Sequence, residues 1–157
     1  MNIKKIIIVI SLFFLLSCGY EPIYSKKKLE NKYNFSISSI TFSGVNDINQ
    51  ILKNDLINFT NIDSKETMYD LNINSSKIIT ITSKNKKGNP EVFNMKILIN
   101  LEILKNKKII NKRNFDHSFE YKNKSSKFQL KQYEQNIRKN IVSKLSQDIV
   151  DHLYSIK

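Results

Sequence analysis

From Phe93 to Ile103 every second residue is apolar: Phe93, Met95, Ile97, Ile99, Leu101 and Ile103 alternate with Asn94, Lys96, Leu98, Asn100 and Glu102. A period of two held this long describes a strand with one buried and one wet face. It excludes a helix, whose apolar positions return every three or four residues. The same period runs through Tyr69, Leu71, Ile73, Ile79 and Ile81, where Ser75 and Lys77 interrupt the apolar face, and through Ile109 to Tyr121, with Phe115, Phe119 and Tyr121 on the odd face. Short polar connections, Lys84 to Pro90 and Lys105 to Lys108, join the three strands as hairpins, so they form an antiparallel meander.

Half-buried strands need a cover, and the chain supplies two helices. Leu130, Tyr133, Ile137, Ile141, Leu145, Ile149 and Leu153 recur at three- and four-residue steps, behind a Ser126-Lys127-Phe128-Gln129 start that resembles a capping box. Val45, Ile48, Ile51, Leu52, Leu56 and Phe59 give a shorter helix over 45–59, which either Ser43 or Asn46 can cap. Before it, Tyr33 to Phe42 reads as a strand. Phe35 and Ile37 take one face, Ile40 and Phe42 the other, with a bulge or bend expected at Ser38-Ser39. The order β-α-β-β-β-α predicts an α+β two-layer sandwich: a four-stranded, largely antiparallel sheet with two helices on one face.

A chain of 157 residues with 40% hydrophobic content holds one packed domain and a tail. Its three glycines, Gly19, Gly44 and Gly88, are too scattered for a phosphate loop, a dinucleotide fingerprint or a nucleophile elbow. A single cysteine excludes an internal disulfide and a multi-cysteine zinc site. The net charge of +12 is carried by 24 Lys and only 2 Arg, beside 25 Ile and 20 Asn. All three abundant types have A/T-rich codons, so the charge reflects base composition more than a nucleic-acid surface, which would favour Arg. No nucleic-acid partner is expected. His117 and His152 lack further ligands at metal spacing, and the acids and serines form no catalytic arrangement. The reading is of a protein that is not an enzyme and needs no cofactor or metal.

The N-terminus is an address. Lys4 and Lys5 precede an eleven-residue apolar run, Ile6 to Leu16, and then Ser17-Cys18. A bilayer-spanning helix takes about 20 residues, so the run suits a signal peptide. Leu15-Leu16-Ser17-Cys18 resembles the bacterial lipobox, although Leu16 is bulkier than usual; a plain secreted protein with a chance cysteine is the other reading. The resemblance implies cleavage after Ser17 and a diacylglycerol on Cys18, which with further acylation gives a stable anchor. Gly19 stands where aspartate commonly retains such proteins in the inner membrane, which implies outer-membrane sorting. The organisation is then a signal peptide over 1–17, a lipidated tether over 18–32 and one domain over 33–157. Lys26-Lys27-Lys28 in the tether either lies against anionic headgroups or stays solvated.

Cys18-Gly19-Tyr20-Glu21-Pro22-Ile23-Tyr24, the order of elements behind it, and the closing amphipathic stretch Gln135 to Leu153 together resemble the lipopolysaccharide-assembly lipoproteins, small subunits of the outer-membrane translocon, and their alphaproteobacterial branch in particular. The resemblance implies a lipoprotein of the outer membrane that faces the periplasm. It would plug the lumen of a large β-barrel lipopolysaccharide-assembly protein, help that barrel assemble and bind lipopolysaccharide during insertion into the outer leaflet. A polar outer sheet face, read from Asn94, Lys96, Asn100 and Glu102, suits a wet barrel interior. Candidate headgroup-binding cations are Lys105, Lys107, Lys108, Lys112 and Arg113, and secondarily Lys84, Lys86 and Lys87; the other reading is solvated hairpin charge. The alternative function is a periplasmic lipoprotein subunit of another envelope assembly, such as a lipid transporter or secretion machine.

Overall fold

A computed structural model describes residues 33–60, 62 and 67–156. Cys18, the motif that follows it and the tether lie outside the described residues. The elements are β1 (Phe35–Gly44), α1 (Asn46–Leu56) continued by one 3-10 turn (Ile57–Phe59), β2 (Thr67–Lys84), β3 (Pro90–Lys105), β4 (Lys108–Lys122) and α2 (Lys127–Ser155). They form one sheet in the order β1-β2-β3-β4 with the two helices on one face. The β2-β3-β4 meander is antiparallel as expected. β1 joins it as a parallel neighbour of β2, with α1 making the crossover that parallel strands require.

The alternation of β3 decides which face is dry. Met95, Ile97, Ile99, Leu101 and Ile103 are each at most 1% exposed and meet Tyr69, Leu71 and Ile73 of β2 beneath the helices. At 29 residues, α2 is about 43 Å long. It buries Ile137, Ile141, Val142, Leu145, Ile149, Val150 and Leu153, while Leu130 and Tyr133 are only partly covered. Ser126 occupies the N-cap, but its side chain makes no capping hydrogen bond, so the expected capping box does not close. The first turn is held instead by the Leu130 N–H donating to the Ser126 carbonyl at 3.0 Å.

The β1 bulge lies where the sequence put it, with a different consequence. The register with β2 shifts between Ile37 and Ser39, so Ile37 pairs with Tyr69 but Ile40 pairs with Leu71 and Phe42 with Ile73. Tyr69, Leu71 and Ile73 all face the core. The extra residue therefore returns Ile40 and Phe42 to the same face as Phe35 and Ile37, correcting the expected change of face.

Neither Ser43 nor Asn46 caps α1. Val45 is the N-cap, and its N–H reaches across to the carbonyl (3.2 Å) and hydroxyl (3.0 Å) of Ser75. The Ser75 hydroxyl donates to Asn49 Oδ1 at 2.7 Å, and Asn49 Nδ2 donates to the Ser43 carbonyl at 3.1 Å. Ser75, which reads in the sequence as a flaw in an apolar face, is thus the buried polar post on which the chain turns from β1 into α1. The two helices are then tied together by Arg138 to Asp47 at 2.9 Å and by the hydroxyls of Ser143 and Ser146 donating to Asp55 at 3.0 and 3.1 Å.

The outer face is mostly polar and is cross-linked. Lys96 pairs with Asp116 at 3.0 Å, Lys112 with Glu102, and the Ser39 hydroxyl donates to Asp70 at 2.7 Å. Hydrogen bonds from Lys112 and then Asn72 hold the Glu102 carboxyl below its usual range. No described helix is long and apolar enough to cross a membrane.

Candidate functional site

The five candidate cations divide into three settings. Lys105, Lys107 and Lys108 crown the β3–β4 hairpin, whose two-residue turn puts Asn106 at φ 52° and Lys107 at φ 61°. Both central residues at positive φ are what a type I′ turn requires, and asparagine at the first is a favoured choice. Lys105 and Lys108 are cross-strand partners, a like-charge pairing that is locally unfavourable. Among the described residues none of the three lysines has an ion-pair partner, so their field is directed at solvent.

Lys112 and Arg113 are adjacent in β4 and therefore point to opposite faces. Lys112 lies on the outer face, engaged with Glu102. Arg113 turns inward: its guanidinium donates to His152 Nδ1 at 3.0 Å and lies 5.3 Å from the centre of the Phe115 ring. His152 in turn donates from Nε2 to Asn111 Oδ1 at 3.0 Å. An imidazole that accepts at Nδ1 and donates at Nε2 is neutral, and burial, followed by the Arg113 charge, pushes its pKa below 6.5.

The sequence reading missed this seam. His117 Nε2 lies 2.7 Å from Asp148 Oδ2, and Lys144 sits 3.0 Å from the other Asp148 oxygen. Burial on its own would raise the Asp148 carboxyl; hydrogen bonds from His117 and Lys144, with their charges, outweigh it and hold the group low. The β4–α2 contact is therefore a polar zipper of Asn111, Arg113 and His117 against Lys144, Asp148 and His152, next to an open groove of about 350 Å³ lined partly by Arg113, Asp151 and Ser155. Two signals in the sequence pointed to it: the polar odd positions of β4, and the four-residue spacing of Lys144, Asp148 and His152 on the helix.

The secondary candidates Lys84, Lys86 and Lys87 gather on the β2–β3 connection, ordered by Asn85, whose side-chain oxygen accepts from the N–H groups of Lys87 and Asn89 at 3.0 Å each. β3 separates this loop from the Lys105–Lys108 tip by 16 residues, roughly 50 Å at strand rise. The molecule thus carries two cationic ends, too far apart to grip one headgroup together.

No protein-family model matches the chain, and no curated protein matches it by sequence. Solved structures do. The rare lipoprotein B of Shewanella oneidensis aligns over 75% of this chain and 95% of its own, with a TM-score of 0.58 at 11% identity. The chain shares its fold with this lipoprotein. A lipoprotein B of Nitrosomonas europaea aligns over 78% of this chain and 86% of its own (TM-score 0.57, 10% identity). A minor lipoprotein of Acinetobacter baumannii does so over 75% and 91% (TM-score 0.54, 13% identity). At these identities the likeness is one of architecture, and it extends over most of each neighbour.

Proposed function

We propose that this protein is a lipid-anchored lipoprotein of the outer membrane that plugs and helps assemble a large β-barrel lipopolysaccharide translocon, and that it binds lipopolysaccharide during insertion. The observation that carries the reading is the coincidence of two independent features. One is a fold shared with bacterial lipoproteins; the other is a Cys18 placed directly after a signal-peptide-like segment. The ion-paired outer sheet face supports the placement inside a barrel, since a water-filled lumen accepts Lys96, Asp116, Glu102 and Lys112 without desolvating them. The role is one of binding and structure, without turnover. Within it, the Lys105–Lys108 tip is the headgroup-binding element: its ammonium groups, which have no ion-pair partner among the described residues, attract phosphates and carboxylates and compete with the divalent ions that bridge them.

The test is mild detergent extraction of the tagged protein from its own membranes, followed by identification of what accompanies it. The reading predicts a large outer-membrane barrel at near-equal amount, and misassembly of that barrel on depletion. Recovery with an inner-membrane transporter and no barrel would instead place the protein in another envelope assembly.

A further inference from the structure

Past Ser75, no described strand continues on the side of β2 that β1 occupies. β1 ends at Gly44, opposite Ser75, and the chain turns away into α1, while β2 continues to Lys84. Along this stretch β3 is the only strand neighbour of β2 among the described residues. Successive residues of a strand aim their N–H and C=O groups to alternate sides. The Ser75 carbonyl accepts from Val45 on the β1 side, so Lys77, Ile79 and Ile81 direct their main-chain groups to that side, where no described strand pairs with them.

Past Lys77, the side chains of this edge do little to guard it. Strand edges that face only water are blunted by charge or proline, and β4, the other long edge, carries Lys112, Asp116 and Glu120. The run Ile78-Ile79-Thr80-Ile81-Thr82 carries neither. Ile78, Ile79 and Ile81 are 49%, 41% and 48% exposed, although Met95, the β3 partner of Ile79, is buried. The apolar row that closes over β3 is left open on β2, as it would be if one more strand were due.

Charge selects the kind of strand. Lys77, Lys84, Lys86 and Lys87 flank the open edge, and among the described residues none has an ion-pair partner. A second copy of a chain with net charge +12 would bring the same cations to the same place, and the chain's own tether carries Lys26, Lys27 and Lys28. We propose that the Lys77–Ile81 edge of β2 is a docking site for an extended strand of another protein, bearing aliphatic or β-branched residues at alternate positions and carboxylates at its ends. The strand adds by main-chain hydrogen bonds in line with β1 and covers Ile79 and Ile81. The inference holds whichever envelope assembly the protein serves.

The probe is a synthetic Glu-Val-Thr-Val-Thr-Val-Glu peptide with blocked ends, added to the full-length protein in detergent, with amide hydrogen exchange read residue by residue. The peptide should slow exchange at Lys77, Ile79 and Ile81 by about tenfold, leaving Ile78 and Thr80, which already bond to β3, unchanged. A twin peptide N-methylated on the residues that face β2, and the Ile79→Lys variant with the original peptide, should show no slowing. The proposal is overturned if millimolar peptide leaves the three amides unprotected, or if the N-methylated twin protects them equally. Protection that grows with protein concentration when no peptide is present also overturns it, by making a second copy the occupant.

Discussion

Replacing Gly44 by alanine tests the hinge on which the two-layer fold turns. Gly44 has φ +90°, and a Cβ added there would lie 1.9 Å from the Ser75 carbonyl oxygen and 2.9 Å from Ser75 N and C. Gly88 supplies the control, with φ +80° and nothing within 4 Å of an added Cβ. Left-handed strain of about 1–2 kcal/mol applies to both. At Gly44 the clash also forces the end of β1 off β2, which breaks the Val45 bonds to Ser75 and opens the buried Ser75–Asn49 bond. One lost bond is worth about 1 kcal/mol and buried groups left unpaired about 1–3 more. Gly44→Ala should therefore lose about 4 kcal/mol where Gly88→Ala loses about 1, against a total stability of roughly 5–15 kcal/mol for a domain. Urea unfolding followed by circular dichroism reads the difference directly. Equal losses in the two variants would refute the argument, because strain alone would then explain both.

Three other outcomes follow from the same structure. Leu145→Ala, at a fully buried position where α2 meets the core, should cost about 2–5 kcal/mol in the same unfolding assay. Because the folded state depresses the His152 pKa, the unfolded chain binds more protons as pH drops below 6.5; stability should be full above 6.5 and decline from there towards the lower folded value. His152→Gln, which can still accept from Arg113 and donate to Asn111, should flatten that slope in thermal melts taken across the pH range. Neutralising Lys105, Lys107 and Lys108 to glutamine should weaken lipopolysaccharide binding and reduce its salt dependence without lowering the melting temperature, whereas Arg113→Gln should lower the melting temperature through loss of the His152 contact; affinity of the triple variant unchanged across salt would remove the tip from the binding surface.

The sheet was legible because its strongest signal is local. Met95 to Ile103 alternate without a break, and the lysine-rich connections at each end can only be turns. α2 was legible from Ile137 onward for the same reason. What escaped were features set by partners distant in sequence. Ser75 reads as a defect because Gly44, Val45 and Asn49, which give it its role, lie some thirty residues away. The return of Ile40 and Phe42 to the core depends on register with β2, which no local pattern encodes. Of the candidate cations, Lys105, Lys107 and Lys108 lie together because a hairpin brings its own ends together. Lys112 and Arg113 are neighbours in sequence yet face opposite ways, and Arg113 and Arg138, the two arginines of the chain, both anchor contacts of α2. Only the packing reveals that both hold elements together.

The most direct test of the account is the intact mass of the protein recovered from membranes. It predicts a chain that begins at Cys18 and carries diacylglycerol on the sulfur, usually with a further acyl group on the new amino terminus. A recovered chain that keeps residues 1–17, or one with an unmodified Cys18 thiol, would contradict it.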